Sequence, residues 1–376
     1  MALSIGVPAE SRAGEMRVAL VPDVAAQLVE QHDVAVLVEQ GAGAHAYHTD
    51  ADYEAAGAQP VDRSEALGAK VVLFVQPPTE ADIQQLQSGQ IVIGFLSPLD
   101  EPSISQQFAE RGVTALSMEL VPRISRAQKM DALSAMSSLG GYRAVLNAAQ
   151  ALPRFFPLLT TAAGTIKPAN VLVLGGGVAG LQAIATAKRL GARVAGYDIR
   201  PAVKEEVQSL GAGFLELEID TEDTQTEGGY AKELQKELAE QQPTLLEPHV
   251  GRSDVVISTA LIPGRPAPRL ITEAAVEGMR AGSVVVDLAA ANGGNCDLTE
   301  AGTTVTAHDV IIMGPTNLPA EMPVHASQLY AKTLSAFVEE FVEDGAFHVD
   351  FDDDIISGAC VTHDGQIVHD RVKELV

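Results

Sequence analysis

Val171-Leu-Val-Leu-Gly-Gly-Gly-Val-Ala-Gly-Leu-Gln-Ala-Ile-Ala-Thr-Ala-Lys-Arg-Leu-Gly191 runs from an apolar stretch through three glycines into a helical pattern. It reads as a buried strand, a tight turn and a helix. The spacing Gly175-x-Gly177-x-x-Gly180 is the fingerprint of a dinucleotide-binding turn. Gly175 turns the chain off the strand, Gly177 lacks the Cβ that would obstruct a pyrophosphate, and Gly180 lets the helix pack on the sheet. The first N–H groups of the helix, from Val178 onward, then face the anion. A second strand, Arg193-Val-Ala-Gly-Tyr-Asp-Ile199, carries an acid about 20 residues beyond the first glycine, as expected of a ribose-binding carboxylate. Strand, helix and acid agree, so a purely structural glycine turn is the weaker reading. The cofactor-binding set is Gly175, Gly177, Val178, Gly180, Asp198, Ile199 and Arg200. Asp198 suits ribose hydroxyls and repels a 2′-phosphate, which favours NAD. Arg200 argues for NADP, but the acid lies nearer the strand end, so NAD is expected.

The fingerprint begins at residue 175 of 376, which leaves room ahead of it for a domain with its own core. Apolar runs at Leu3–Val7, Val34–Glu39, Val71–Val75, Ile91–Leu96 and Thr114–Met118 read as strands. Helical patterns fall between them at Asp23–Glu30, Ile83–Gln87 and Ile104–Glu110. Alternation at this spacing makes parallel βαβ units, so the first domain is a second doubly wound sheet without a fingerprint of its own. Gly41-Ala-Gly-Ala44 lacks a third glycine and marks a turn. A long helix over Leu133–Leu152 connects the domains, and further strands fall at Asp254–Thr259, Ser283–Leu288 and Val310–Met313. The acidic insert Glu216–Tyr230, ending Glu227-Gly-Gly-Tyr230, reads as a mobile surface loop. A final helix over Ser327–Glu343 leads into the acidic segment Asp350–Asp354, which packs back on the first domain. The expected fold is α/β with two doubly wound parallel-sheet domains. Residues 1–134, completed by 318–376, form the first; residues 135–317 form a Rossmann dinucleotide-binding domain, with a cleft between the two.

Composition narrows the function classes. The net charge of −25 excludes nucleic acid as a partner, because phosphate backbones need clustered cations. Solvated surface charge and adaptation to a salty cytoplasm both remain open as its meaning. Two cysteines, Cys296 and Cys360, make no disulfide framework, and a reducing cytoplasm is expected. Met1-Ala-Leu-Ser-Ile-Gly-Val-Pro8 has no basic region ahead of an apolar core, so it is not read as a signal peptide. No run approaches the roughly 18 apolar residues that cross a bilayer, since Pro153, Arg154 and Pro157 break the nearest one. His363 and His369 lack companions at ligand spacing, so no metal is expected.

Longer stretches resemble one family. Ile5-Gly-Val-Pro-Ala-Glu-Ser11 and Glu15-Met-Arg-Val-Ala-Leu-Val-Pro22 are similar to the opening signature shared by alanine dehydrogenases and nicotinamide nucleotide transhydrogenases. The fingerprint region is similar to their second signature. Thr259-Ala-Leu-Ile-Pro-Gly264, Asp287-Leu-Ala289, Asn292-Gly-Gly-Asn295 and Thr362-His-Asp-Gly-Gln-Ile-Val-His369 extend the resemblance over essentially the whole chain. Alanine dehydrogenases carry a lysine where this chain has Phe74-Val-Gln76 and a histidine where it has Ile93-Gly-Phe-Leu-Ser97. They carry an aspartate where it has Ala291. Arg17 remains, but the proton-handling groups do not. An amino-acid dehydrogenase must move protons as well as a hydride. Hydride exchange between two nicotinamides needs proximity and orientation, with reacting atoms about 3–3.5 Å apart.

The resemblance therefore falls on the transhydrogenase side. Arg123-Ile-Ser-Arg-Ala-Gln128-Lys-Met-Asp131-Ala-Leu-Ser134 is similar to the Arg–Gln–Asp–Ser loop of the NAD(H)-binding domain I of proton-translocating transhydrogenases. This implies Arg123, Gln128, Asp131 and Ser134 as the catalytic group, the first three holding the nicotinamide carboxamide and ribose. The family's mobile-loop tyrosine falls on Tyr230, with Gly229 beside it, and Leu261 lies in the turn near the cofactor. Taken alone, Arg123 and Asp131 also fit a surface ion pair, and Tyr230 an exposed loop aromatic. The implied function is the NAD(H)-binding subunit of the transhydrogenase, which passes hydride directly from NADH to NADP⁺ on a partner subunit, coupled to proton movement across a membrane. The implied partners are a second copy in a homodimer, an NADP-binding subunit and a membrane-spanning subunit. Through them the chain would sit on the inner face of the cytoplasmic membrane. A diverged amino-acid dehydrogenase and a non-catalytic NAD-sensing module are the alternatives. Pyruvate and ammonia with NADH test the first, and hydride exchange with a partner tests the second.

Overall fold

Valine and isoleucine runs that are apolar on both faces build parallel sheets covered by helices, because no face is left polar for water. The structure is a computed structural model and describes residues 3–32, 34–217, 230–262 and 264–376, with 230–240 as backbone only. The chain divides into two compact units, Met1–Met136 with Pro319–Val376, and Ser137–Leu318.

The first unit holds an eight-stranded sheet. Its spatial order is Gln366–Ile367, Cys360–His363, Thr114–Ser117, Ile91–Gly94, Val71–Leu73, Ser4–Val7, Ala35–Glu39, Gln59–Val61. The six strands from Thr114–Ser117 to Gln59–Val61 are parallel. The chain starts in the middle at Ser4–Val7, fills one side, then crosses to Val71–Leu73 and fills the other, the doubly wound pattern. Cys360–His363 returns antiparallel to Thr114–Ser117, so the C-terminal segment completes this sheet.

Two strands stop before their apolar runs do. Val71–Leu73 ends early because the Glu10 carboxylate accepts the N–H of Val75 at 2.6 Å and of Gln76 at 3.1 Å. Ile91–Gly94 ends early because Glu119 accepts the N–H of Leu96 at 3.2 Å and of Ser97 at 2.5 Å. The helix expected over Ile83–Gln87 is corrected to Glu80–Ile83. Thr79 and Asp82 form a capping box that starts it early, and Gln84 ends it. The helix expected from Asp23 spans Pro22–His32, with proline at its start, where the missing N–H costs nothing.

The second unit holds a seven-stranded sheet. Its order is Gly213–Phe214, Arg193–Tyr197, Asn170–Leu174, Val255–Ser258, Val284–Asp287, Val310–Met313, Thr304–Ala307. Only the edge strand Thr304–Ala307 is antiparallel. Residues 171–174, 255–257 and 284–286 are all buried, which is why they appear in the sequence as unbroken apolar runs. The helix Val178–Arg189 lays Ala183, Ile184 and Ala187 into one core. The expected connector helix spans Ala132–Ala151, and the expected final helix spans Pro323–Phe341. Most of the loop expected over Glu216–Tyr230, including Gly229, lies outside the described residues. Among the described residues, no helix is long and apolar enough to cross a membrane.

Candidate functional site

Asn170–Leu174 lies between Arg193–Tyr197 and Val255–Ser258, so the strand order reverses beside it. Ligands of doubly wound sheets bind at such a switch point, outside the carboxyl ends of the strands. The glycines stand at that end. Gly175 has φ of 99°, a left-handed value that glycine alone adopts readily, and a Cβ there would meet Thr259 Oγ1 at 2.6 Å. A Cβ at Gly180 would meet the Gly175 carbonyl oxygen at 1.8 Å, so the helix closes on the turn only without one. A Cβ at Gly177 would meet no protein atom within 4 Å. The protein's own packing therefore does not require glycine at 177, whereas close approach of a pyrophosphate does. Gly177 caps Val178–Arg189 without a side-chain bond, which leaves the first N–H groups to an anion. These features fit a dinucleotide.

Asp198 follows Arg193–Tyr197 directly, and its carboxylate is nearly buried. It accepts the Gly176 N–H at 2.7 Å, which ties the second strand to the glycine turn. It also accepts the Arg200 N–H at 2.8 Å and both ends of the Arg200 guanidinium, at 2.9 and 2.8 Å. Burial opposes the charge, but the Arg200 and Gly176 donors outweigh it and hold the carboxyl below the usual range. Both Asp198 carboxylate oxygens are thus taken by donors of this unit, and the Arg200 side chain is 61% exposed. Val178, Ile199, Leu261 and Ile262 are large apolar side chains left exposed in this unit. Leu261 belongs to the turn after Val255–Ser258, whose Thr259 hydroxyl donates to the Gly175 carbonyl at 3.2 Å. The fingerprint, Asp198 and that turn are therefore one assembly.

The Arg123–Ser134 segment belongs to the first unit. Ser125–Met130 is a short 3₁₀ helix that buries Ala127 and Met130 and leaves Arg123 and Gln128 exposed. Asp131 turns to Ser134, accepting its N–H at 2.8 Å and its hydroxyl at 2.6 Å, and so caps the helix Ala132–Ala151. Arg126, to which the sequence assigns no role, reaches Glu340 at 3.1 Å and Asp353 at 2.6 Å. Asp353, from the acidic segment, also caps the helix Asp354–Ala359. Tyr230 is described only as the backbone start of the helix Tyr230–Gly251.

The sequence gives no sign of two half-buried carboxylates that hold strand ends in the first unit. Burial pushes the Glu10 carboxyl up to about 8 and raises Glu119 as well. The Tyr330 hydroxyl lies between the two strand ends they hold, donating to the Phe74 carbonyl at 2.9 Å and accepting the Phe95 N–H at 3.1 Å. Gln76 and Ser97 therefore stand on loops clamped by Glu10 and Glu119. Arg17 is buried in a two-point pair with Glu15, at 2.7 and 2.6 Å. Among the described residues, no His, Cys, Asp and Glu group could hold a metal ion.

Residues 6–140 match the family described as alanine dehydrogenase/PNT, N-terminal domain, and residues 144–370 match alanine dehydrogenase/PNT, C-terminal domain. An NAD(P) transhydrogenase alpha subunit of Rhodospirillum rubrum is 46% identical, with 98% of each chain covered. The crystal structure of transhydrogenase from Sinorhizobium meliloti superposes with a TM-score of 0.88 at 40% identity, covering 97% of this chain and 100% of that one. An alanine dehydrogenase of Staphylococcus epidermidis is more distant, 31% identical over 85% of this chain and 82% of its own. The chain belongs to the alanine dehydrogenase/PNT family, on the side of the NAD(P) transhydrogenase alpha subunits.

Proposed function

We propose that this chain is the NAD(H)-binding subunit of a proton-translocating transhydrogenase, and the glycine turn closed on Asp198 is the observation that carries the proposal. Gly175, Gly177, Gly180 and the N–H groups from Val178 onward would hold the pyrophosphate. Asp198 would hold the adenosine ribose once Arg200 releases it, and Ile199 and Leu261 would cover apolar ring surface. Arg123, Gln128 and Asp131 would orient the nicotinamide end, with Ser134 fixing the Asp131 carboxylate; by the resemblance, Tyr230 and Gly229 would belong to the same site. When bound, NADH supplies the hydride that passes to NADP⁺ on a partner subunit. The partners are an NADP-binding and a membrane-spanning subunit, which keep the chain on the inner face of the cytoplasmic membrane. Proton movement through them supplies about 2.3 kcal/mol per charge per 100 mV. The isolated protein is expected to bind NADH at least about tenfold more tightly than NADPH, because a buried carboxylate repels a 2′-phosphate. Fluorescence titration measures this, and equal affinities would overturn the assignment to NAD.

A homodimer is also part of this reading. Among the described residues the hairpin Leu159–Thr161 with Gly164–Ile166 pairs only with itself, and Phe155, Leu158 and Ile166 are 52, 61 and 47% exposed. A lone two-stranded hairpin is marginal in water and its edges invite pairing. A second copy that covers it would bury these side chains. The double variant Leu158→Asp, Ile166→Asp is expected to sediment at half the wild-type mass. A monomeric wild type, or a variant that remains dimeric, defeats this assignment.

A further inference from the structure

Asn295 is not among the residues proposed to touch the nucleotide, yet every polar atom it carries is used. It is 0% exposed. Its Oδ1 accepts the Ser258 hydroxyl at 2.6 Å and the Ala260 N–H at 3.1 Å. Its Nδ2 donates to the Ala260 carbonyl at 2.9 Å and the Pro268 carbonyl at 2.8 Å. Its own N–H donates to buried Asp287 at 2.7 Å, and its carbonyl accepts the N–H groups of Leu270 and Ile271 at 2.8 and 3.0 Å. Asp287 is fixed in turn by the N–H groups of Ala289 and Cys296, both at 3.0 Å, and by the Thr299 hydroxyl at 2.7 Å.

One carboxamide thus takes both polar atoms of Ala260, the residue between Thr259 and Leu261. Thr259 rests on the Gly175 carbonyl, and Leu261 and Ile262 stand exposed just beyond. An amide is the one side-chain group that can accept from an N–H and donate to a C=O of the same residue while holding two further partners. The surrounding loop could be stapled without Ala260. That Ala260 is held at both atoms fixes where the turn meets the glycine fingerprint.

We propose that Asn295 is a positioning residue for the nucleotide. It sets the turn Thr259–Ile262 as the wall of the site opposite the start of the helix Val178–Arg189, and it touches no ligand itself. The inference rests on the reading of the fingerprint as an NAD(H) site. Asn295→Asp keeps volume and both accepted bonds but faces the carbonyls of Ala260 and Pro268 with an acceptor. Arg154→Ala serves as a comparison, because Arg154 bonds Asp254 and the Ala281 carbonyl at the far end of the same strand. Titration of each protein with NADH is paired with thermal unfolding in the absence of nucleotide. Asn295→Asp is expected to weaken NADH binding about tenfold or more, the scale of one buried polar group left unmet. Arg154→Ala is expected to lower the melting temperature and bind as the wild type does. Wild-type affinity in folded Asn295→Asp, or equal losses in both variants, would overturn the proposal. Where Asn295→Asp does not fold, Ser258→Ala decides, with about threefold weaker binding expected and unchanged binding fatal. A wild type that binds no NADH sinks the fingerprint reading itself, a result visible before any variant is made.

Discussion

With NADH, pyruvate and ammonia, the protein is expected to consume NADH no faster than in a control without pyruvate. Reductive amination requires a cation for the substrate carboxylate and groups that deliver protons as the hydride arrives. The positions that would supply them hold Gln76, Ser97 and Ala291, none of which exchanges a proton near neutrality. Each lost acid or base typically forfeits about 10²–10⁴ in rate. Arg17 remains as a candidate cation, but its side chain is only 2% exposed and bound at two points to Glu15. Turning it toward a substrate would break both charge-assisted bonds of that buried pair, which opposes its use as a substrate cation. The backbones of Gln76 and Ser97 are clamped by Glu10 and Glu119, so neither loop is free to recruit a substitute. Following NADH absorbance over time would settle this, and steady oxidation dependent on both pyruvate and ammonia would restore the dehydrogenase reading.

The parts of this molecule that are legible in its sequence are those whose demands are local. Val171–Leu174 and Val310–Met313 show themselves because strands in the interior of a covered sheet are apolar throughout. The glycine spacing shows itself because Gly175 needs a left-handed turn and Gly180 cannot carry a Cβ against the Gly175 carbonyl. Edge strands are not legible: Gln59–Val61 contains Pro60, and Thr304–Ala307 alternates in burial. Cys360–His363 does not stand out as a strand because its partner, Thr114–Ser117, lies far away in the chain. The same limit applies to side chains. Glu10, Glu119 and Asn295 look like ordinary polar residues until folding brings their donors together. Asn295 gathers atoms from residues 258, 260, 268 and 287, and no spacing rule connects those positions. Asp198 and Arg200 are two residues apart and visible as a charge pair, but only geometry shows that both carboxylate oxygens are taken.

Gln128→Asn is expected to leave NADH affinity within about tenfold of wild type and to slow hydride transfer by about 10² or more. The segment that presents Gln128 is anchored on both sides. Arg126 bonds Glu340 and Asp353, Ala127 and Met130 are each 2% exposed, and Asp131 is held by Ser134. Between these anchors the Gln128 side chain is exposed, so removing one methylene retracts its carboxamide without loosening the turn. On the proposed reading, that carboxamide orients the nicotinamide end, while the glycine turn and Asp198 hold the rest of the dinucleotide. Affinity then depends mostly on groups the substitution leaves alone, whereas rate depends on alignment, and a displacement of about 1 Å is enough to cost about 10². The measurement mixes the protein with an NADP-binding transhydrogenase component and follows a single turnover by stopped flow, with NADH affinity titrated separately. Parallel losses in affinity and rate would mean that Gln128 only binds. Transfer at the wild-type rate would mean that the loop does not position the ring, and the roles proposed for Arg123, Gln128 and Asp131 would fall together.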